Sequence, residues 1–130
     1  MRAGRELRRI IMDRIIAEVP ALSGRVFDKA AEDTAFPYVT LGSSYWNDES
    51  TDCFAARSIV VRVDVWHKAS NKGECEDLAD DIATALDGYA DTGRLTMHPM
   101  QVPLVRVTDD PDGLSVHGIV QVEANVESDG

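Results

Sequence analysis

The stretch Ser58-Ile59-Val60-Val61-Arg62-Val63-Asp64-Val65-Trp66-His67-Lys68 decides how this chain folds. Ile59, Val61, Val63 and Val65 fall on one parity; Arg62, Asp64, Trp66 and Lys68 fall on the other. A strand sends alternate side chains to opposite faces, so the segment reads as a strand with one apolar and one mixed face. Its β-branched residues suit a pleated, half-buried surface. Four aliphatics on one face need a cover, and the segment from Glu74 to Leu86 supplies it. Cys75, Leu78, Ala79, Ile82, Ala83, Leu86 and Tyr89 recur at the spacing of one helical face. The link between strand and helix, Ala69 to Gly73, offers Asn71 as N-cap with Glu74 three residues on, a capping-box variant. Gly88 can adopt the left-handed conformation that ends a helix.

Upstream, residues 3–19 read as a second amphipathic helix. Leu7, Ile10, Ile11, Ile15 and Val19 form its apolar face, with Arg5, Arg8, Arg9 and Asp13 opposite. Pro20 stops it. Arg25-Val26-Phe27 is expected to form a short strand, followed by a polar loop from Lys29. Pro37 opens a longer strand, Tyr38 to Gly42, which Tyr45 and Trp46 extend before a turn-rich segment, Asn47 to Asp52. The long strand from Ala56 to His67 is expected to run antiparallel to it.

Downstream, residues 90–99 are irregular. From Gln101 to Thr108 alternation returns, but Val102 is out of phase with Val105 and Val107, which predicts a bulge near Pro103. Asp109-Asp110-Pro111-Asp112-Gly113 is a turn signal, and Leu114, Val116, Val120, Val122, Ala124 and Val126 share one parity beyond it. The two strands should form a hairpin. Ser128-Asp129-Gly130 is expected to fray. The order predicts an α+β fold: a largely antiparallel sheet of four to five strands with two helices packed on one face, in a single domain over residues 1–130. The other face is left to solvent or to another subunit.

The charge balance is uneven. Net charge is −10, yet residues 1–29 hold seven Lys/Arg against four Asp/Glu, which leaves −13 on the remaining 101 residues. An acidic body disfavours general nucleic-acid binding, because phosphates need a positive surface. Its basic N-terminal arm could meet a partner of opposite polarity, including another copy. The acids Glu74, Glu76, Asp77, Asp80 and Asp81 give one helix a negative surface; no Asp-x-Asp-x-Asp-Gly loop organises them for calcium. No apolar run is long enough to span a bilayer. The Arg-rich N-terminus lacks the apolar core and cleavage site of a signal peptide, so Cys53 and Cys75 are expected to be reduced cytoplasmic thiols.

Chemistry is sparse. His67, His98 and His117 fit no metal-binding spacing, and Cys53 and Cys75 fit no metal or redox motif. A nucleophile elbow, a phosphate loop and a dinucleotide fingerprint are all absent, so no cofactor and no catalytic residue are assigned. Asp64 and His67 have opposite parity and point to opposite faces. Asp109, Asp110 and Asp112 serve the turn. The candidate functional residues are interface residues: Arg5, Arg8, Arg9, Tyr45, Trp46, Asp48, Arg62 and Trp66. Aromatic anchors and arginines of this kind dominate protein interfaces.

Taken in order, Arg25-Val26-Phe27-Asp28, Phe36 to Gly42, Val63-Asp64-Val65-Trp66, the Ala-rich helix through Leu86, Asp110 to Leu114 and His117-Gly118 carry a resemblance over Arg25 to Glu127. The chain resembles tailed-phage tail terminator, or tail completion, proteins, including those of gene transfer agents and prophages. The resemblance implies a non-enzymatic virion subunit, assembled in the bacterial host cytoplasm and located at the tail–neck junction. It implies a homo-oligomeric ring, a hexamer, that docks on the last ring of tail tube protein. The ring would end polymerisation and present a surface to the head-side connector or neck protein. DNA would pass through it without specific binding, and no membrane is involved. Two other readings stand beside it. One is a neck or head-completion connector subunit; the other is a small ligand-binding or enzymatic α+β domain using the Trp66 face.

Overall fold

The computed structural model describes residues 2–128. Two α-helices, α1 (Gly4–Glu18) and α2 (Lys72–Leu86), lie against a five-stranded sheet. Its strands are β1 (Val26–Phe27), β2 (Tyr38–Asp48), β3 (Ala56–Lys68), β4 (Gln101–Asp109) and β5 (Ser115–Glu127), arranged in space as β1-β2-β3-β5-β4. Every pairing is antiparallel except β1 with β2. This is the expected α+β architecture.

The opening stretch sits near the centre of the sheet, paired on both sides. Ile59, Val61, Val63 and Val65 are buried under the helices, as their alternation requires. Burying each such side chain contributes roughly 1.5–3 kcal/mol against exposure. Val116, Val120, Val122, Ala124 and Val126 of β5 join them, with Leu7, Ile10, Ile11 and Ile15 from α1 and Cys75, Leu78, Ala79, Ile82 and Leu86 from α2. Gly118 lets α2 approach closely: a Cβ there would lie 3.2 Å from Val65 Cβ and 3.3 Å from Cys75 Sγ. Burial also pushes the Cys75 thiol up to about 11.

Two bulges shape the sheet. The β2–β3 register shifts between Leu41 and Ser44, so Gly42-Ser43 holds one extra residue. Parity flips across it. Val39 and Leu41 point into the core, whereas Tyr45, beyond the bulge, pairs with Val60 on the open face. Arg8 satisfies this irregular backbone by donating to the carbonyls of Gly42 (3.0 Å) and Leu41 (3.1 Å). The second bulge lies between Gln101 and Leu104, at Pro103 as expected.

Several local expectations need correction. Asn71 precedes α2, but its side chain makes no capping bond; its amide donates to Glu74 instead, and Ala69–Asn71 forms a 3-10 turn. Glu74 is drawn away from its capping role by His67 at 2.8 Å. Gly88 does adopt positive φ after α2, and its amide donates to Met100. Leu114 is exposed, because it belongs to the turn and not to β5. Asn47 and Asp48 are still within β2, so the tip of the β2–β3 hairpin begins after them. Of the expected frayed tail, Ser128 donates its amide to Ala55 at 2.8 Å, and residues 129–130 lie outside the described residues.

Candidate interaction surface

The helices cover one side of the sheet and leave the other open. Across this open face β3 and β5 pair in continuous register, which sets Trp66 beside His117 and Asp64 beside Ile119. The Trp66 and His117 rings stack with centroids 4.0 Å apart and 8° between planes. Trp66 Nε1 donates to the Thr40 hydroxyl of β2 at 3.1 Å, and Tyr38 adds a further ring 6.4 Å away. His117 Nε2 meets Asp64 Oδ1 at 2.7 Å, and Arg62 Nε meets the same oxygen at 3.0 Å. Asp64 is buried although it lies on the helix-free side.

Gly42 makes room for this group. A Cβ there would stand 2.5 Å from Asp64 Oδ2 and 2.9 Å from Arg62 Nε. The bulged strand therefore passes close over the carboxylate and helps to bury it. A buried carboxylate needs charged or hydrogen-bonding partners to offset lost hydration, and Asp64 has both. Among the described residues no buried side-chain nitrogen or oxygen lacks a hydrogen bond. The arrangement is a paired polar knot that locks β2, β3 and β5 in register.

The three histidines have separate carboxylate partners: His67 meets Glu74, His98 meets Glu127 at 3.1 Å, and His117 meets Asp64. The Lys68 amide donates to His67 Nδ1, so Nε2 carries the proton that His67 gives Glu74. Among the described residues no three His, Cys, Asp or Glu side chains gather as metal ligands. Among the described residues no helix is long and apolar enough to cross a membrane.

The eight residues expected at an interface fall into three places. Arg5 and Arg9 are exposed on α1 and, with Arg8, Met12 and Asp28, line a cleft of about 220 Å³ beside the β1 edge. Arg8 is mainly structural, tied to the bulge and to Asp28 at 3.1 Å. Tyr45, Trp46 and Asp48 lie along the outer half of β2, where Trp46 stacks under the Arg57 guanidinium at 3.7 Å. The Ser50 hydroxyl and amide both donate to Asp48 and hold its carboxyl below the usual range. Arg62 and Trp66 belong to the open-face knot. The reading of the sequence missed Asp64, His117, Thr40 and Gly42 as its other members. Parity placed Asp64 and His117 on outer faces, but only the β3–β5 register brings them together.

The family match and the structural likenesses bear on different questions, the first on family and the second on fold. The model of the tail completion protein gp17 family matches residues 14–127. Among solved structures, a chain of a native gene transfer agent virion matches with TM-score 0.78 and 18% identity, covering 91% of this chain and 92% of that one. The bacteriophage SPP1 gp17 protein matches with TM-score 0.63 and 21% identity, covering 100% of this chain and 95% of its own. No curated protein sequence matches. At these identities the structural likenesses speak for the fold, whereas the family match takes in both central strands, α2 and the β4–β5 hairpin. The chain belongs to the tail completion protein gp17 family, whose role in tail assembly is structural.

Proposed function

We propose that this chain is a non-enzymatic subunit of a hexameric ring that caps the tail tube, ends its polymerisation and joins the tail to the head-side neck. The observation that carries the reading is the match of residues 14–127 to the tail completion family. The shape of the subunit supports it. One sheet face is free of helices, its polar centre is fixed by Asp64, His117 and Arg62, and its two edges differ. Closed rings need unlike, complementary patches joined head to tail. The acidic body suits a channel for DNA, since like charge keeps the duplex from adhering.

Tails assembled with and without the chain test the proposal. With it, electron micrographs should show tubes of uniform length ending in a ring. Without it, tubes should be overlong and unattached to heads. Tubes of normal length in its absence would overturn the reading. Normal length with failed head attachment would also overturn it, in favour of a neck subunit.

A further inference from the structure

The sheet has two open edges, and each complements the other. β1 pairs only with Val39 and Thr40, so among the described residues no strand covers the outer edge of β2 from Ser43 to Asp48. At the other side β4 has β5 on one flank and, among the described residues, no strand on the other. Uncovered strand edges present backbone N–H and C=O groups ready to pair with another chain. Exposed apolar side chains concentrate on the same two strands. Of seven large hydrophobics exposed among the described residues, four are Tyr45 (58%), Trp46 (51%), Leu104 (47%) and Val105 (40%).

We infer that copies of this chain join by antiparallel pairing of the β4 edge of one with the Ser43–Asp48 edge of the next. The inference rests on the ring reading and names its interface. Strand direction permits it. β2 and β4 run in opposite senses within one subunit, so copies arranged side by side about an axis along the strands set β4 antiparallel to the neighbouring β2. Face parity permits it too. Trp46 is paired with Ile59 and Val105 with Val120, both on the helix side; Tyr45 is paired with Val60 and Leu104 with Gln121 on the open side. Joining the edges therefore brings aromatic and aliphatic side chains together on each face. Pro103 lacks an N–H and confines the new ladder to the part of β4 beyond it.

Charge points to the same occupant. Arg5 and Arg9 stand exposed on α1 beside the β1–β2 edge. Glu76, Asp80 and Asp87 form one stripe at helical spacing, and Asp87 accepts the Val102 amide of β4, which places the stripe beside the other edge. A basic edge thus meets an acidic one when copies pack head to tail.

Charge reversal on the full chain tests this, read by native mass spectrometry together with tube-capping assays. Arg5→Glu with Arg9→Glu leaves both edges acidic, and Glu76→Lys with Asp80→Lys makes both basic. Each variant alone should lose about tenfold of its rings at unchanged circular dichroism. Mixing the two should restore rings, because acidic-edged and basic-edged copies alternate. Val105→Pro, which blocks backbone pairing without changing charge, should abolish rings in either background. Rings unaffected by reversal, or a mixture that stays monomeric, would overturn the pairing. If wild-type rings form and cap tubes while these variants also assemble normally, the pairing fails and the ring reading stands. If wild-type chain forms no rings even on tube ends, the ring reading fails and takes the pairing with it.

Discussion

His117 on β5 and Asp64 on β3 meet at 2.7 Å on the helix-free face of the sheet, with the carboxylate buried and Arg62 Nε 3.0 Å from the same oxygen. This pairing ties the two central strands through side chains as well as through the backbone ladder. Removing the carboxylate leaves His117 and Arg62 without their shared acceptor. Asp64→Ala is expected to lower unfolding stability by about 3 kcal/mol, and Asp64→Asn by less, because breaking a buried pair strands its partners. Urea denaturation measures both. Equal and negligible losses would show that the pair contributes little.

The two close glycines should respond to alanine in different ways. At Gly42 the added Cβ would collide with the Asp64 carboxylate and the Arg62 guanidinium, at 2.5 and 2.9 Å. That substitution must push the ion pair apart, and about 2 kcal/mol of destabilisation is expected. At Gly118 the nearest atoms, Val65 Cβ and Cys75 Sγ, are 3.2 and 3.3 Å away, so a few tenths of an ångström of relaxation suffices. Gly118→Ala should cost less than Gly42→Ala, and Gly118→Val more than Gly118→Ala. Thermal melts of the three variants would reveal a reversed order.

The two thiols should be told apart by a maleimide at pH 8. Cys53 is exposed, whereas Cys75 is buried with its thiol pushed up to about 11 by desolvation. Thiolate is the reactive form, so the native chain should take one label and the denatured chain two. Rapid native labelling of Cys75 would mean that α2 lifts from the sheet readily.

Acid should loosen the β4–β5 turn before it unfolds the core. Asp112 accepts the Ser115 hydroxyl at 2.7 Å, the Leu114 amide at 2.8 Å and the Ser115 amide at 3.0 Å. The Ser115 hydroxyl, then the Leu114 amide, hold its carboxyl below the ordinary range. A lowered folded-state value means that its contribution is fully present above the ordinary aspartate range and is lost as pH falls through the folded value. Amide protection at Leu114 and Ser115 should therefore decline below about pH 4. Asp112→Asn should remove that pH step. A step retained in the variant would assign it to another acid.

Much of the architecture was legible because it depends on periodicity. Alternation marked β3 and β5, three-and-four spacing marked both helices, and the phase break at Pro103 marked a bulge. The Gly42-Ser43 bulge was harder to see, since Tyr38 to Trp46 reads as one run. The β2–β3 register shows where the ladder breaks, and Arg8 reaches across from α1 to two adjacent carbonyls there. The Asp64–His117 contact stayed hidden for a related reason. It joins residues on either side of α2 and β4, and no local pattern sets the register between them. Asn71 illustrates the opposite error: a sound capping signal lost because His67 competes for Glu74.

β5 comes last among the described strands yet lies between β3 and β4. During synthesis β3 must wait, half-paired, for a neighbour that emerges from the ribosome after everything else in the sheet. A chain interrupted before β5 would leave β4 with no strand to pair with, so a prematurely terminated product could not display both outer strands at once. The threading order thus withholds an assembly-competent shape from unfinished subunits.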